Sequence, residues 1–250
     1  MLVLLPPSET KRPGGGSASL RLDRLVLPAL DPQRRAVLTA LERLSADPEV
    51  AARVLRLGAS QLHEVAVNAA VRASPTMAAV DRYTGVLYDA LDAASLEAPA
   101  RRWLGAHVLI HTAPLGPVGA LDRIPAYRLG ATASLPGSPP LRRIWSAPVS
   151  EAIAGLSPRF VVDLRSEAYA ALGPVPASVG SVYVRVVTRG ADGTVRALNH
   201  FNKHAKGALV RELAIDRPRI GTVGALRAWG ETRGVVLRPG ARDGEVELVA

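Results

Sequence analysis

Apolar positions along this chain fall into short blocks separated by proline, glycine and polar runs. Leu2-Val3-Leu4-Leu5 is a continuous apolar run closed by Pro6-Pro7, which predicts a short buried strand ending in a polar loop, Ser8 to Arg12. Two helix starts then share one signature: Asp31-Pro32 and Asp47-Pro48 each put a capping carboxylate before a proline at the first helical position. Val37, Leu38, Leu41 and Leu44 follow the first start at helical spacing, and Val50, Val54, Leu55 and Leu57 follow the second. Gly58 is the expected C-terminal cap and Ser60 the N-cap of a third helix carrying Leu62, Val65, Ala66, Ala69 and Ala70. The N-terminal third is therefore expected to be helical, with tight joints.

Further along, the pattern predicts a helix over Met77 to Ala94 and a buried strand at His107 to His111, within Trp103 to Thr112. The Pro- and Gly-rich segment from Ala113 to Pro140 holds one strand-like stretch at Ala126 to Leu129. Phe160 to Leu164 reads as a central strand. Ser181 to Thr188 and Thr194 to Leu198 flank Ala191-Asp192-Gly193, a hairpin signal, and Val235 to Arg238 and Glu245 to Val249 form a second hairpin candidate. Helices are expected from Asn202 to Ala214 and from Thr222 to Trp229. No solenoid-length repeat is present. The sum is a single α/β (α+β) domain over residues 1–250, a mixed β-sheet with a helical N-terminal part.

Composition narrows the chemistry. With no cysteine, the chain has no disulfide, thiolate zinc site, iron–sulfur ligand or cysteine nucleophile. Five histidines include the pairs His107/His111 and His200/His204, each four apart, but neither carries the glutamate of a zincin motif, so no metal is expected. The apolar start is too short for a signal peptide and no run reaches bilayer-spanning length; a cytoplasmic protein without a membrane partner is expected. The net charge of +9, mostly arginine, favours an anionic partner: nucleic acid, nucleotide or phosphorylated metabolite. A monomer is expected, and no cofactor is indicated.

Five polar constellations are candidates for that partner's site. Ser8-Glu9-Thr10-Lys11 follows the first strand, although without the Gly-Lys-Ser/Thr of a phosphate loop. Tyr83-Thr84-Gly85 is a second group. Arg123 and Arg128 flank Tyr127 on the Pro/Gly-rich segment, where a guanidinium fork suits a phosphate or carboxylate. Asp163, Ser166 and Glu167 follow the central strand, where open α/β sheets place ligand-binding residues. Glu167 or Asp163 would act as general acid or base if burial raised its pKa. Lys203, Lys206 and Gly207 share one face of a helix. Ser8, Lys11, Glu167 and Lys203 are the candidate catalytic residues. Thr10, Tyr83, Thr84, Arg123, Tyr127, Arg128, Asp163, Ser166, Lys206 and Gly207 are the candidate ligand-binding ones. Each group read alone also has a plainer reading: a solvated loop after the first strand, core packing for the tyrosines, surface arginines paired with Asp122, helix capping by Ser166, and an ordinary solvated face for the lysines. Separately, the Arg56 to Ser60 joint between two helices is similar to a helix-hairpin-helix element, which makes Arg53, Arg56, Gly58 and Ser60 candidates for contact with DNA phosphates.

Taken in order, these motifs resemble the YaaA (UPF0246, DUF328) family over essentially the whole chain. Pro7 to Lys11, Tyr83-Thr84-Gly85, Pro125 to Leu129 with the later Trp145, Asp163 to Tyr169 and Lys203 to Gly207 carry the resemblance. It implies one α/β domain with a positively charged cleft and a helix-hairpin-helix-like element, DNA binding, and protection against iron-driven oxidative damage in the peroxide-stress response. Two stretches depart from the family pattern. His111 to Gly116 stands where Ser-Gly-Leu-Tyr-Gly is frequent, and Ala168 precedes the tyrosine. They leave room for a second expectation, an enzyme acting on a nucleotide-like or other anionic small molecule. Either way Ser8, Lys11, Arg128, Glu167, Lys203 and Lys206 are expected to line one pocket.

Overall fold

In the computed structural model, which describes residues 1–189, 195–196 and 199–249, the first strand β1 (Leu2–Leu5) is buried along its whole length. The helical third follows: α1 (Asp31–Ser45), α2 (Pro48–Leu55) and α3 (His63–Ala69). Asp47 caps α2 by accepting from the Glu49 and Val50 amides, both at 3.1 Å. Asp31 does not cap α1; it lies in the first turn and pairs with the buried Arg34 at 3.2 Å. The α2–α3 joint also differs from expectation. Arg56, not Gly58, takes the left-handed conformation that ends α2, with φ of 54°. Gly58 instead precedes a short 3-10 turn, Ala59–Gln61, and Ser60 lies inside that turn rather than capping it.

The segment from Met77 to Ala94 is not one helix. It splits into β2 (Met77–Ala78), α4 (Ala79–Arg82) and α5 (Val86–Leu91), because Tyr83-Thr84-Gly85 leaves the helix to bridge Lys11 and Gly85 adopts φ of 94°. Next come α6 (Ala98–His107), β3 (Val108–Thr112), β4 (Gly116–Gly119) and β5 (Arg123–Ile124). His107 therefore closes a helix, and only His111 lies on the strand; Ala126 to Leu129 forms no strand. The helix α7 (Leu141–Gly155) was not anticipated. Pro148 inside it masks a spacing of four in Leu141, Trp145, Val149 and Ile153, all buried.

The chain ends with β6 (Val161–Asp163), α8 (Glu167–Ala170), β7 (Ser181–Arg189), β8 (Val195–Arg196), α9 (Asn199–Asp216), α10 (Val223–Thr232), β9 (Leu237–Pro239) and β10 (Glu245–Val249). Thr222 caps α10 through the Ala225 amide, and β9 and β10 form the expected antiparallel pair. β7 and β8 are also antiparallel, while the expected turn Ala191-Asp192-Gly193 lies outside the described residues.

The main sheet runs β4-β3-β1-β6-β7-β10-β9, with β8 on β7. Its centre, β3-β1-β6-β7-β10, is parallel, and β4, β8 and β9 pair antiparallel. The fold is thus one mixed α/β domain, as the pattern of elements predicts. Strand order matters for function. From β1 the chain first adds β3 on one side, then β6 and β7 on the other. Connections diverge between β1 and β6, and a crevice opens beyond the carboxyl ends of strands at such a point.

Candidate functional site

The crevice at that point is occupied by the loops leaving β1 and β6. A groove of about 720 Å³ is lined by Ser8, Glu9 and Lys11 after β1, by Ala168 and Tyr169 after β6, and by Arg128 with the small-residue loop Gly130 to Ser134. Its remaining wall is α2 and its C-terminal joint, from Arg53 to Arg56. One cavity therefore holds the strand-end motif and both arginines of the helical joint. Four cationic side chains face it, with the carboxylate of Glu9 paired to Arg128 at 3.2 Å.

Lys11 is the best-defined group in the groove. Its Nζ donates to the carbonyls of Ser8 (3.0 Å) and Glu9 (3.1 Å) and lies 4.2 Å from the centre of the Tyr127 ring and 5.5 Å from that of Tyr83. Burial lowers its pKa to about 7; Glu64 opposes this, and the nearby Arg128 adds to it. Tyr83 and Tyr127 form the floor under the lysine. Their hydroxyls share a hydrogen bond of 2.7 Å, and burial holds both phenols well above their ordinary pKa, so they remain protonated. These two tyrosines carry the lysine rather than line the groove. Ser8 Oγ and Thr10 Oγ1 are 3.3 Å apart, and Thr10 donates to the Thr84 carbonyl at 3.2 Å. A side chain at Gly85 would crowd both hydroxyls, at 3.3 and 3.4 Å. The Tyr83-Thr84-Gly85 motif therefore shapes the loop after β1.

Other expected residues lie elsewhere. Of the six expected in one pocket, Ser8, Lys11 and Arg128 line the groove, while Glu167, Lys203 and Lys206 do not. Glu167 is exposed and paired with Arg185 at 3.0 Å, so it lacks the burial expected of a general acid. Asp163 lies at the edge of a second groove of about 450 Å³, but both its oxygens are taken by Arg165, at 2.9 and 2.6 Å. Arg165 is fully buried and also donates to His111 Nδ1 (2.8 Å) and the Gly173 carbonyl (2.9 Å). Asp163 is thus half of a buried ion pair rather than a free base. Lys206 is buried, donates to the Leu164 carbonyl at 2.9 Å, and is lowered to about 8 by burial against the pull of Asp163. Lys203 is exposed three residues earlier on α9.

Gly207 does not approach a ligand. A side chain there would lie 2.0 Å from the Leu87 carbonyl oxygen, so the glycine is the contact between α9 and α5. Arg123 holds the Thr76 carbonyl at 2.6 Å, far along the β2–β5 pair, and does not line the groove. Ser166 sits at the N-terminus of α8 without a side-chain cap, exposed. At the helical joint the Gly58 amide is already taken by Gln61 Oε1 at 3.1 Å, and Ser60 is exposed. Gly58 and Ser60 do not line the groove, and the charge this joint brings to it is that of Arg53 and Arg56. The hydroxyls of Thr132 and Ser134, which also line the groove, went unnoticed because nothing in a Gly/Ala/Ser loop marks which side it presents. Among the described residues, no group of three or more His, Asp or Glu is arranged to hold a metal ion.

Comparisons with known proteins show the family. A family model described as "Peroxide stress protein YaaA" matches residues 1–234. The chain belongs to the YaaA (UPF0246) family. It is 43% identical over 228 residues to a UPF0246 protein of Corynebacterium efficiens, covering 90% of this chain and 89% of that protein. It is 42% identical over 219 residues to one from Streptomyces coelicolor, covering 85% and 82%. A UPF0246 protein of Corynebacterium glutamicum is 38% identical over 241 residues, covering 95% and 94%. The YaaA match spans every residue named at the groove. Among the described residues, no helix of this YaaA-family chain is long and apolar enough to cross a membrane.

Proposed function

We propose that this protein acts in the cytoplasm as a DNA-binding member of the peroxide-stress response, holding DNA phosphates in the groove beside β1 and thereby limiting iron-driven oxidative damage. The observation that carries this reading is the meeting of Lys11 and Arg128 with Arg53 and Arg56 in one cavity. Phosphate contacts by arginine and lysine supply most of the sequence-independent affinity for DNA. The α2 joint brings its arginines in the manner of a helix-hairpin-helix element, with Gly58 and Ser60 shaping the turn. Thr10, Thr84, Tyr83 and Tyr127 hold the loop that presents Ser8 and Lys11.

Binding of a fluorescent duplex over a range of salt concentrations tests this. Affinity should fall linearly on log–log axes, with about 0.9 in slope for each phosphate contacted. Arg53→Glu with Arg56→Glu should weaken binding at all sequences alike and lower the slope by roughly 2. Both side chains are exposed, so the variant should fold. Undetectable binding at low salt, or indifference to the double reversal, would refute the reading.

A second reading is an enzyme acting on an anionic small molecule in the same groove. The observation favouring it is the Lys11 amine in the groove wall, held by the Ser8 and Glu9 carbonyls, with a pKa that burial lowers to about 7. Titration with nucleotides and inorganic phosphate, followed at the groove by NMR, separates a small-molecule site from a DNA-only surface.

A further inference from the structure

Lysine is the rare cation of this protein. The chain has three lysines, Lys11, Lys203 and Lys206, against twenty-eight arginines. Arginine keeps its charge at any physiological pH, whereas a lysine amine can lose its proton and then carries a lone pair. A chain that meets nearly every other need for positive charge with arginine, yet has lysine in the loop beyond β1, points to a need for the amine itself.

The geometry around Lys11 supports that need. Two backbone carbonyls, of Ser8 and Glu9, each accept one hydrogen from Nζ. No ion pair among the described residues includes Lys11, and the carboxylate of Glu9 is turned to Arg128 instead. A neutral amine has two hydrogens and one lone pair. With both hydrogens held, the lone pair is left for an electrophile. Lys11 lines the groove together with Arg53, Arg56 and Arg128, which would hold an anionic group of the same ligand.

We propose that Lys11 is a nucleophilic amine that forms an imine with an aldehyde bearing a phosphate, the phosphate being held by the groove arginines. This rests on the groove being an anion site, as argued above. The Nζ lone pair adds to the carbonyl carbon and one N–H proton passes to the former carbonyl oxygen, giving a carbinolamine; the second N–H proton leaves with that hydroxyl as water, so both carbonyl hydrogen bonds are released as the C=N bond forms, and no oxidant or reductant takes part. Two sources offer this chemistry. An abasic deoxyribose in DNA opens to an aldehyde flanked by phosphates, and a free phosphorylated aldehyde such as glyceraldehyde 3-phosphate carries both groups in one small molecule. The lowered pKa of Lys11, about 7, fits the role by leaving half the amine free at neutral pH. An ordinary lysine would have on the order of a thousandfold less.

Reductive trapping tests the proposal. The whole protein is incubated with cyanoborohydride and either a duplex containing one abasic site or glyceraldehyde 3-phosphate, and adducts are located by peptide mass mapping. Binding of an intact duplex of the same sequence is measured alongside. The adduct is expected on Lys11, with a yield rising through about pH 7 and level above it, and it should vanish in Lys11→Arg. Trapping by the abasic duplex alone assigns the source to DNA; trapping by the small aldehyde alone assigns it to a metabolite. Adducts on Lys203, Lys206 or the N-terminal amine of Met1 in place of Lys11, or none with either aldehyde, overturn the proposal. If the intact duplex still binds while trapping fails, the groove reading stands and the imine falls. If neither occurs, both fall. Should Lys11→Arg misfold, the mapped position and the pH midpoint in the unaltered protein decide by themselves.

Discussion

Gly207→Ala separates two roles for that glycine by a single methyl group. The sequence pattern puts Gly207 on a lysine-bearing face suited to an anion, whereas in the fold it is the contact between α9 and α5. A methyl there would fall 2.0 Å from the Leu87 carbonyl oxygen and 2.9 Å from Ala90 Cβ, where ordinary contacts begin at 3.4 Å. The helices would have to part by roughly 1 Å, since a backbone carbonyl cannot rotate away as a side chain can. Overpacking of this kind costs about 1–3 kcal/mol, and a rigid obstacle belongs at the upper end. Alanine returns about 1 kcal/mol as the better helix former. The net loss is about 2 kcal/mol, or a fall in Tm of roughly 4–8 °C for a chain of this length. Urea unfolding and a thermal melt, run beside DNA binding, measure it. An unchanged or raised Tm would refute the packing argument. Weaker binding at full stability would return Gly207 to the ligand.

Three further outcomes follow from the same geometry. Asp163→Ala leaves the Arg165 guanidinium buried without its carboxylate and should lower stability by about 3–5 kcal/mol by denaturant titration; a loss under about 1 kcal/mol would show that the pair carries little. Arg56→Gly should raise stability by about 1 kcal/mol, because Arg56 sits at φ of 54°, while weakening DNA binding; a destabilised variant contradicts the cap assignment. His111 is held neutral, well below its ordinary pKa, by burial and by the Arg165 charge. The unfolded chain takes up a proton there below about pH 6.5 and the folded chain does not, so this contribution is intact above that pH and declines by about 1.4 kcal/mol per unit beneath it. Urea midpoints at pH 7.5 and 5.5 should differ less in His111→Gln than in the unaltered protein, and an equal difference in both would exclude His111 as the source.

By itself the sequence determined the elements whose signals are local. Leu2–Leu5 is a short buried strand, Asp47 and Thr222 cap their helices, and β9 and β10 pair across a Pro-Gly turn, each fixed by residues a few positions apart. Ordered motifs also revealed the family, and the polar residues after β1 line the larger groove. Tertiary structure decided which charges are free. Arg123 and Lys206 read as ligand-binding candidates, yet, like the buried Arg82 and Arg165, each is held by carbonyls or a carboxylate, most of them supplied from distant segments. A cation's partner depends on strand order, and strand order joins residues more than a hundred positions apart, as β1 joins β6. The same long-range closure brought Arg53 and Arg56 to Lys11, two clusters that the sequence offers only as separate sites.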